Sequence, residues 1–406
     1  MYWEALDQAT ILAEVNARLA ENASYGRDEV LGLPGSFLDR KVFPDDAPFL
    51  DSSPYLRCLL ENPNHIGCHT LVQGENAFAG TQQLEREVLR LCAEEILGAA
   101  AGTTDGYVAS GGTEANLQAL WAWRNELQAT QGVTAAEIAV LHSEDTHYSV
   151  VKGCGLLGMR RESVPVDPKT RAVSEQAASA ALAAVVAAGA RSVIWFLNMG
   201  TTLFGSVDDY EPIRRALQAT GLPYRVHVDA AFGGFLYPFV REDNPLSFAE
   251  PDIGSITLDA HKMLQAPYGT GIFLARKGLI QHVETHEASY VPGHDYTLCG
   301  SRSGANAVAV WMILRTYGSE GGRTFVRGLL ERTDHLCRGL DALGLSYFRD
   351  PHMNVVAIAA EGFPREVAER FNLVPDTHEG APAWWKIVVM DHVDLPLLDR
   401  FLAALA

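Results

Sequence analysis

Paired cysteines, a surplus of positive charge and a long apolar run are all missing from this chain. Its six cysteines, at positions 58, 68, 92, 154, 299 and 337, show no CxxC spacing. Nor are they dense enough for a disulfide scaffold, and a zinc site is not expected; they read as free thiols in a reducing compartment. Lysine and arginine number 32 against 50 acidic residues, a formal net charge of −18. A nucleic-acid binder needs a basic face to neutralise phosphates, and anionic membranes attract basic segments, so the balance speaks against both partners. The acidity reads as a solubility feature. The most apolar stretch, residues 177–190, is alanine-rich and too short to span a bilayer. Met1-Tyr2-Trp3-Glu4 lacks the basic region and apolar core of a signal peptide, so a cytoplasmic protein is expected.

What is present is an alternation of strand and helix. With 406 residues, two or three domains are expected. Residues 5–22 read as an amphipathic helix through Leu6, Ile11, Leu12, Val15 and Leu19. Residues 26–56 are broken by glycine and proline, and 61–80 form a polar loop rich in His, Asn and Gly. Thr81 reads as the N-cap of a helix reaching about Leu97. Strand-like runs then fall at 106–109, 137–142, 160–166, 192–197, 224–229, 254–258 and 270–275. Helical segments lie at 114–129, 147–157, 174–189 and 209–220. This is the pattern of an α/β domain with a mostly parallel seven-stranded sheet. After a helical stretch at 303–343, strands at 353–359 and 384–390 alternate with helices at 364–371 and 394–405. The expected division is an N-terminal helix and arm (1–80), a large domain (81–300) and a small C-terminal α+β domain (301–406).

Ligands of such sheets bind at the carboxyl ends of the strands, and chemistry-bearing residues collect there. Ser110-Gly111-Gly112-Thr113 follows a strand and opens a helix. It suits a phosphate cradle or a structural turn equally, and fits neither a P-loop nor a GxGxxG fingerprint. His147 follows the next strand, where a histidine can stack on a planar ring. Thr201 and Thr202 end another, placed for a cofactor hydroxyl, a substrate carboxylate or a plain turn, with Asp208 beyond. Asp229 ends an apolar strand and needs a cationic partner if buried, while Ala231 is small enough for a ring to lie against. Lys262 follows His261 thirty-three residues after Asp229. A lysine for a Schiff base and an acid for a pyridinium nitrogen are what pyridoxal phosphate chemistry requires.

Taken together, SGGTEAN, DTHYS, GTT, HVDAAFGG, DAHKM and GSRSGA occur in that order. The chain resembles the group II pyridoxal-phosphate-dependent amino acid decarboxylases of fold type I. It is most similar to archaeal tyrosine/aspartate decarboxylases and bacterial histidine decarboxylases. The resemblance implies that Lys262 forms the Schiff base, Asp229 pairs with the pyridine nitrogen and His147 stacks on the ring. It implies that Gly112 and Thr113 hold the phosphate, with Thr202 and His261 also lining the cofactor. Ser301 and Arg302 resemble a segment that reaches the neighbouring subunit's site, so a homodimer with shared active sites is expected. Tyr290, in the loop after Lys262, matches the tyrosine that returns a proton to Cα, with Tyr296 the alternative. Asp259 stands where relatives carry a neutral side chain, and is not expected to touch the phosphate.

The reaction so implied is decarboxylation of an L-amino acid to its amine through an external aldimine and a quinonoid. An aminotransferase and a carbon–carbon lyase of the same fold are the rivals. The first commonly clamps a carboxylate with a small-domain arginine, and none occurs between Phe371 and Asp399, where Lys386 is the only cation. The second needs a further basic pocket for a substrate phosphate. The substrate stays open. Arg57 or Lys41 would suit aspartate, and His65, His69 and Phe78 an aromatic or imidazole side chain, so Asn64 to Gly80 is the stretch expected to read it.

Overall fold

In the computed structural model, residues 1–24, 27–28, 58, 74, 76–286 and 293–406 are described. The chain divides into two compact units, Met1–Gly132 with Ser247–Gly321, and Val133–Leu246 with Gly322–Ala406. The arm at 29–57, most of the polar loop up to residue 75, and Tyr290 lie outside the described residues.

The first unit opens with α1 (Gln8–Glu21), whose buried Ile11, Val15 and Leu19 keep helical spacing. The next helix, α2 (Ala79–Arg90), starts two residues before the expected cap. Thr81 is a correction: it lies inside the first turn, its hydroxyl donating to the Phe78 carbonyl. The cap comes instead from Asn22, whose Oδ1 accepts from the Gly80 N–H at 2.9 Å and the Thr81 N–H at 3.3 Å. A π-helical turn, Leu91–Ile96, extends α2. Then come β1 (Thr104–Ala109), α3 (Gly112–Gln131), β6 (Ile253–Asp259) and β7 (Gly271–Arg276). Gly254 leaves room for the Trp123 ring of α3, whose indole N–H donates to Ser255 Oγ at 2.8 Å. The helix α7 (Gly304–Ala342) is two helices meeting at Gly318, where φ is 59°. A Cβ at Gly318 would lie 2.7 Å from the Ala5 nitrogen, so glycine serves both the left-handed turn and the close passage of the N-terminal segment.

The second unit carries β2 (Ile138–Ser143), β3 (Arg160–Val164), β4 (Ser192–Asn198) and β5 (Tyr224–Ala230), with α4 (Ser149–Leu157), α5 (Glu175–Ala187) and α6 (Tyr210–Thr220) between them. β3, β2, β4 and β5 pair in parallel in that order. β2 and β4 are buried along their whole length, the sign of a sheet covered on both faces. The seven strands are ordered β1-β7-β6-β5-β4-β2-β3, and β7 runs antiparallel to β1 and β6. All seven expected strands are found, in the mostly parallel α/β arrangement. A second, antiparallel sheet in the order β10-β11-β9-β8 is built from β8 (Tyr347–Phe348), β9 (Val355–Ala359), β10 (Val374–Pro375) and β11 (Trp384–Val388). It packs with α8 (Arg365–Arg370) and α9 (Leu395–Ala403) around Val356, Ile358, Trp385, Leu398 and Phe401. The strands expected at 353–359 and 384–390 and the helices expected at 364–371 and 394–405 are found here. β8 and β10 escaped the sequence reading because two residues carry no period.

Candidate active site

In the first unit, one glycine gathers the key turns. Gly271 at the start of β7 is paired with Ala109 on one side and Asp259 on the other. β1 and β6 therefore end side by side, and Ser110–Gly112 and Ala260–Lys262 leave from the same edge. A Cβ on Gly271 would lie 2.4 Å from the Gly111 carbonyl carbon, so only glycine admits the turn this close. From that turn α3 runs for 20 residues with no side-chain hydrogen bond at its N-cap, Gly111. Its first N–H groups and the positive end of its dipole make an anion site. Glu114 in the first turn accepts from the Ser110 N–H at 2.8 Å and the Tyr107 hydroxyl at 3.0 Å.

Lys262 reaches this edge with its ammonium 3.2 Å from Asp259 Oδ2, and His261 Nε2 lies 3.5 Å from the same oxygen. The partners given to buried Asp259 here are thus a lysine and a histidine. Burial holds the His261 imidazole below its ordinary pKa, with Asp259 opposing and Lys262 assisting. Its Nδ1 is buried and has no hydrogen-bond partner among the described residues. The missing Cβ of Gly111 faces the His261 ring at 3.7 Å, so the ring adjoins the turn that opens α3. Tyr268 packs against His261 with ring centres 4.9 Å apart while remaining 87% exposed. Nothing in spacing or composition had singled it out.

In the second unit, the neighbouring strands β2, β4 and β5 end in Ser143, Asn198 and Asp229–Ala230. Asp229 is buried, and its Oδ1 accepts from the Ala231 N–H at 3.1 Å, which places Ala231 directly beside it. Thr201 and Thr202 separate in role. Thr201 is buried and closes its own turn through Ser206, Oγ to Oγ 2.8 Å. Thr202 is exposed, and its carbonyl accepts from Lys386 at 3.1 Å. His147 Nδ1 is held by Ser149, whose N–H donates to it at 3.2 Å and whose Oγ lies 2.9 Å away. Asp145 pairs with Arg171 through both guanidinium arms, and that guanidinium lies 4.0 Å from the Phe204 ring centre. Arg171 has a φ of 57°, a strained backbone held in place by the Asp167 turn.

Two buried groups in this unit have opposed titrations. Burial pushes Asp208 up to about 7, against the pull of the Asn198 N–H groups. Burial pushes His227 down to about 3, against the attraction of Asp229. The unfolded chain takes a proton on His227 below about 6.5 that the folded chain refuses, so this contribution is whole above 6.5 and is lost as pH falls toward 3. His227→Gln is expected to flatten the acid side of the pH–stability profile by roughly 1.4 kcal/mol per pH unit in that window. Urea titrations of the two proteins from pH 7 to 4 check this, and parallel profiles would contradict it. The Asp208 contribution runs the other way, lost as pH rises from 3.8 to about 7, and cancels in the comparison.

Of the residues singled out from sequence, Gly112, Thr113, His261 and Lys262 collect at one edge of the first unit. His147, Thr202, Asp229 and Ala231 stand at adjoining strand ends of the second. Tyr296, the alternative proton donor, is 9% exposed, and its pKa is raised by burial first and Glu284 second. Ser301 is exposed, whereas Arg302 turns inward to a buried pair with Glu85 at 2.5 Å.

Residues 66–355 match the pyridoxal-dependent decarboxylase conserved domain. A tryptophan decarboxylase of Clostridium sporogenes is 42% identical over 98% of this chain and 95% of its own length. A probable L-tyrosine/L-aspartate decarboxylase of Methanothrix thermoacetophila is 33% identical over 81% of this chain and 82% of its own. Among solved structures, L-methionine decarboxylase from Streptomyces sp.590 superposes with a TM-score of 0.72 at 22% identity, covering 84% of this chain and 86% of that one. Identity that low speaks to the fold. With the domain match spanning most of its length and a relative 42% identical along nearly all of it, the chain belongs to the pyridoxal-dependent decarboxylases and is a pyridoxal-phosphate-dependent amino acid decarboxylase of fold type I.

Proposed function

We propose that the enzyme decarboxylates an aromatic L-amino acid, tryptophan foremost, with Lys262 as the residue that holds the cofactor. The observation that carries the site assignment is the edge where Gly111, Gly112, His261 and Lys262 meet around Gly271. The residues fit the group. An open helix start and a buried ring nitrogen with no partner among the described residues suit a phosphate, and a lysine beside them suits an aldehyde. The choice of tryptophan is supported by the 42% identical relative.

When bound, pyridoxal phosphate supplies the electron sink for the pair released as the bond from Cα to the carboxylate breaks. Gly112 and Thr113 would hold its phosphate on the N–H groups of α3, with His261 alongside. Asp229, a buried carboxylate, would hold the proton on the pyridine nitrogen. His147, its Nδ1 tied to the Ser149 N–H, would present a flat face to the ring, and Ala231 leaves the other face room. Thr202 would line the cofactor as well. The Lys262 amine would hold the aldehyde carbon until the substrate amine displaces it. Tyr290 would return a proton to Cα. We further assign the functional parts as an N-terminal arm (1–80), a cofactor-binding domain (81–300) and a small domain (301–406). The segment at Ser301 would serve the partner site of a homodimer. Among the described residues, Cys92, Cys154, Cys299 and Cys337 are thiols outside any disulfide, which supports a reducing, cytoplasmic setting. Among the described residues, no helix is long and apolar enough to cross a membrane.

The test is carbon dioxide release from a panel of amino acids by the holoenzyme, with kcat/KM for tryptophan expected to lead. Aspartate or histidine in the lead would remove the aromatic reading, and keto acid in place of amine would turn the assignment to transamination. Gly271→Ala supplies a second test. Its methyl group would meet the Gly111 backbone, and overpacking of this kind costs about 1–3 kcal/mol, so cofactor affinity is expected to fall about tenfold or more. Titration of the apo-protein with pyridoxal phosphate, followed by fluorescence, reads this, and unchanged affinity would detach the cradle from this edge.

A further inference from the structure

Asp208 was visible in the sequence as an acid beyond the paired threonines, and no step above uses it. It is buried, and its Oδ2 accepts twice from one residue: from the Asn198 N–H at 2.7 Å and from Asn198 Nδ2 at 2.8 Å. The same Asn198 amide reaches Thr146 Oγ1 at 2.9 Å and Ser143 Oγ at 3.2 Å. Ser143 and Thr146 also close the turn between them, hydroxyl to hydroxyl at 3.2 Å and Thr146 N–H to the Ser143 carbonyl at 3.1 Å. His147 is the next residue. A side chain at the end of β4 thus grips the turn that leaves β2, and Asp208 fixes that side chain from behind. The amide has two hydrogens; one goes to Asp208 and the other is shared between the two hydroxyls. Without Asp208 the amide is free to rotate about χ2, and the turn loses its fixed donor.

We propose that Asn198 and Asp208 form a positioning pair that sets the Ser143–Thr146 turn and, through it, the angle of the His147 ring. The inference rests on the assignment of His147 to the cofactor's face only for its catalytic consequence. Because both bonds fall on a single oxygen, hydrogen-bond geometry carries the effect. An asparagine at 208 can offer its own carbonyl oxygen in the same place. Asp208→Asn is therefore expected to retain the arrangement that Asp208→Ala loses.

The direct readout is the Cε1 resonance of His147 in cofactor-free protein labelled with 13C-histidine, assigned by its loss in His147→Gln. In Asp208→Ala, Asn198→Ala and the milder Thr146→Val, the resonance is expected to move or broaden. In Asp208→Asn it should stay close to the wild-type position. In the holoenzymes, the first three variants are expected to lose about tenfold or more in kcat, with KM little changed and the visible circular dichroism band altered. Asp208→Ala combined with Asn198→Ala should be no worse than either alone, as for residues acting as one unit. A His147 resonance unmoved in folded Asp208→Ala or Thr146→Val would overturn the pairing, as would Asp208→Asn behaving like Asp208→Ala. If the resonance moves while kcat and dichroism hold, the pair stands and the stacking role of His147 is what fails.

Discussion

Lys262→Ala is expected to reduce carbon dioxide release by at least about a thousandfold and to abolish the visible band of the holoenzyme. On the proposed assignment the loss is large because the amine would perform two tasks at one atom. It would keep the aldehyde bound at the edge formed by β1, β6 and β7, and it would be the group that the substrate amine displaces. Its ammonium also stands 3.2 Å from the buried Asp259 carboxylate, so alanine would leave that carboxylate beside the His261 imidazole, whose charged form burial disfavours. Lys262→Arg separates the two effects. A guanidinium restores positive charge beside Asp259, yet it stays protonated and forms no Schiff base. Lys262→Arg should therefore melt near the wild-type temperature and remain inactive, while Lys262→Ala should be inactive and somewhat less stable. Carbon dioxide release at a substantial fraction of wild type in either variant would contradict the assignment.

Arg302→Ala is expected to destabilise the folded chain by about 3–5 kcal/mol, a large share of the roughly 5–15 kcal/mol that separates folded from unfolded states. The side chains of Arg302 and Glu85 are 5% and 0% exposed. Glu85 Oε1 accepts from Arg302 and also from the Val108 N–H at 2.7 Å, while Arg302 donates to the Val108 carbonyl at 3.0 Å. The guanidinium lies 5.0 Å from the Tyr107 ring centre. Removing the arginine takes the paired guanidinium from a fully buried carboxylate held against β1, the strand that leads into the proposed phosphate cradle. Cofactor affinity should fall along with stability. Replacing both partners, as in Glu85→Gln with Arg302→Met, removes the stranded charge and should recover part of the loss. Chemical denaturation of the three proteins measures this. A shift below about 1 kcal/mol for Arg302→Ala would mean the pair behaves as a solvated one.

How much of this was legible depends on how far apart the cooperating residues stand. The seven sheet strands could be placed because each is a short apolar run bounded by turn residues, and the motif residues sit directly at their ends. Local periodicity also found α1, α3 and the small-domain strands β9 and β11. It failed where a partner is remote. Asn22 caps α2 across 58 residues, so Thr81 looked like the cap when it is an ordinary first-turn residue. Arg302 read as part of a segment reaching outward, yet its guanidinium pairs across 217 residues with Glu85. Asp259 looked out of place beside a phosphate, and the nearby Lys262 ammonium gives it cationic company instead. Asn198 drew no attention because an amide at a strand end has no signature until the hydroxyls of the neighbouring strand come beside it. Tyr268 likewise acquires meaning only from the His261 ring it covers. The stretch expected to read the substrate, Asn64 to Gly80, is described only at residue 74 and from 76 onward. There Phe78 is buried at the start of α2.

The central claim is that Lys262 holds pyridoxal phosphate. Reducing the holoenzyme with borohydride, digesting it and mapping the pyridoxyl group by mass spectrometry tests it most directly. A single labelled lysine is expected, in the peptide containing Asp259-Ala260-His261-Lys262. A label on any other lysine, or a band that disappears on reduction without leaving a covalent mark on Lys262, would contradict it.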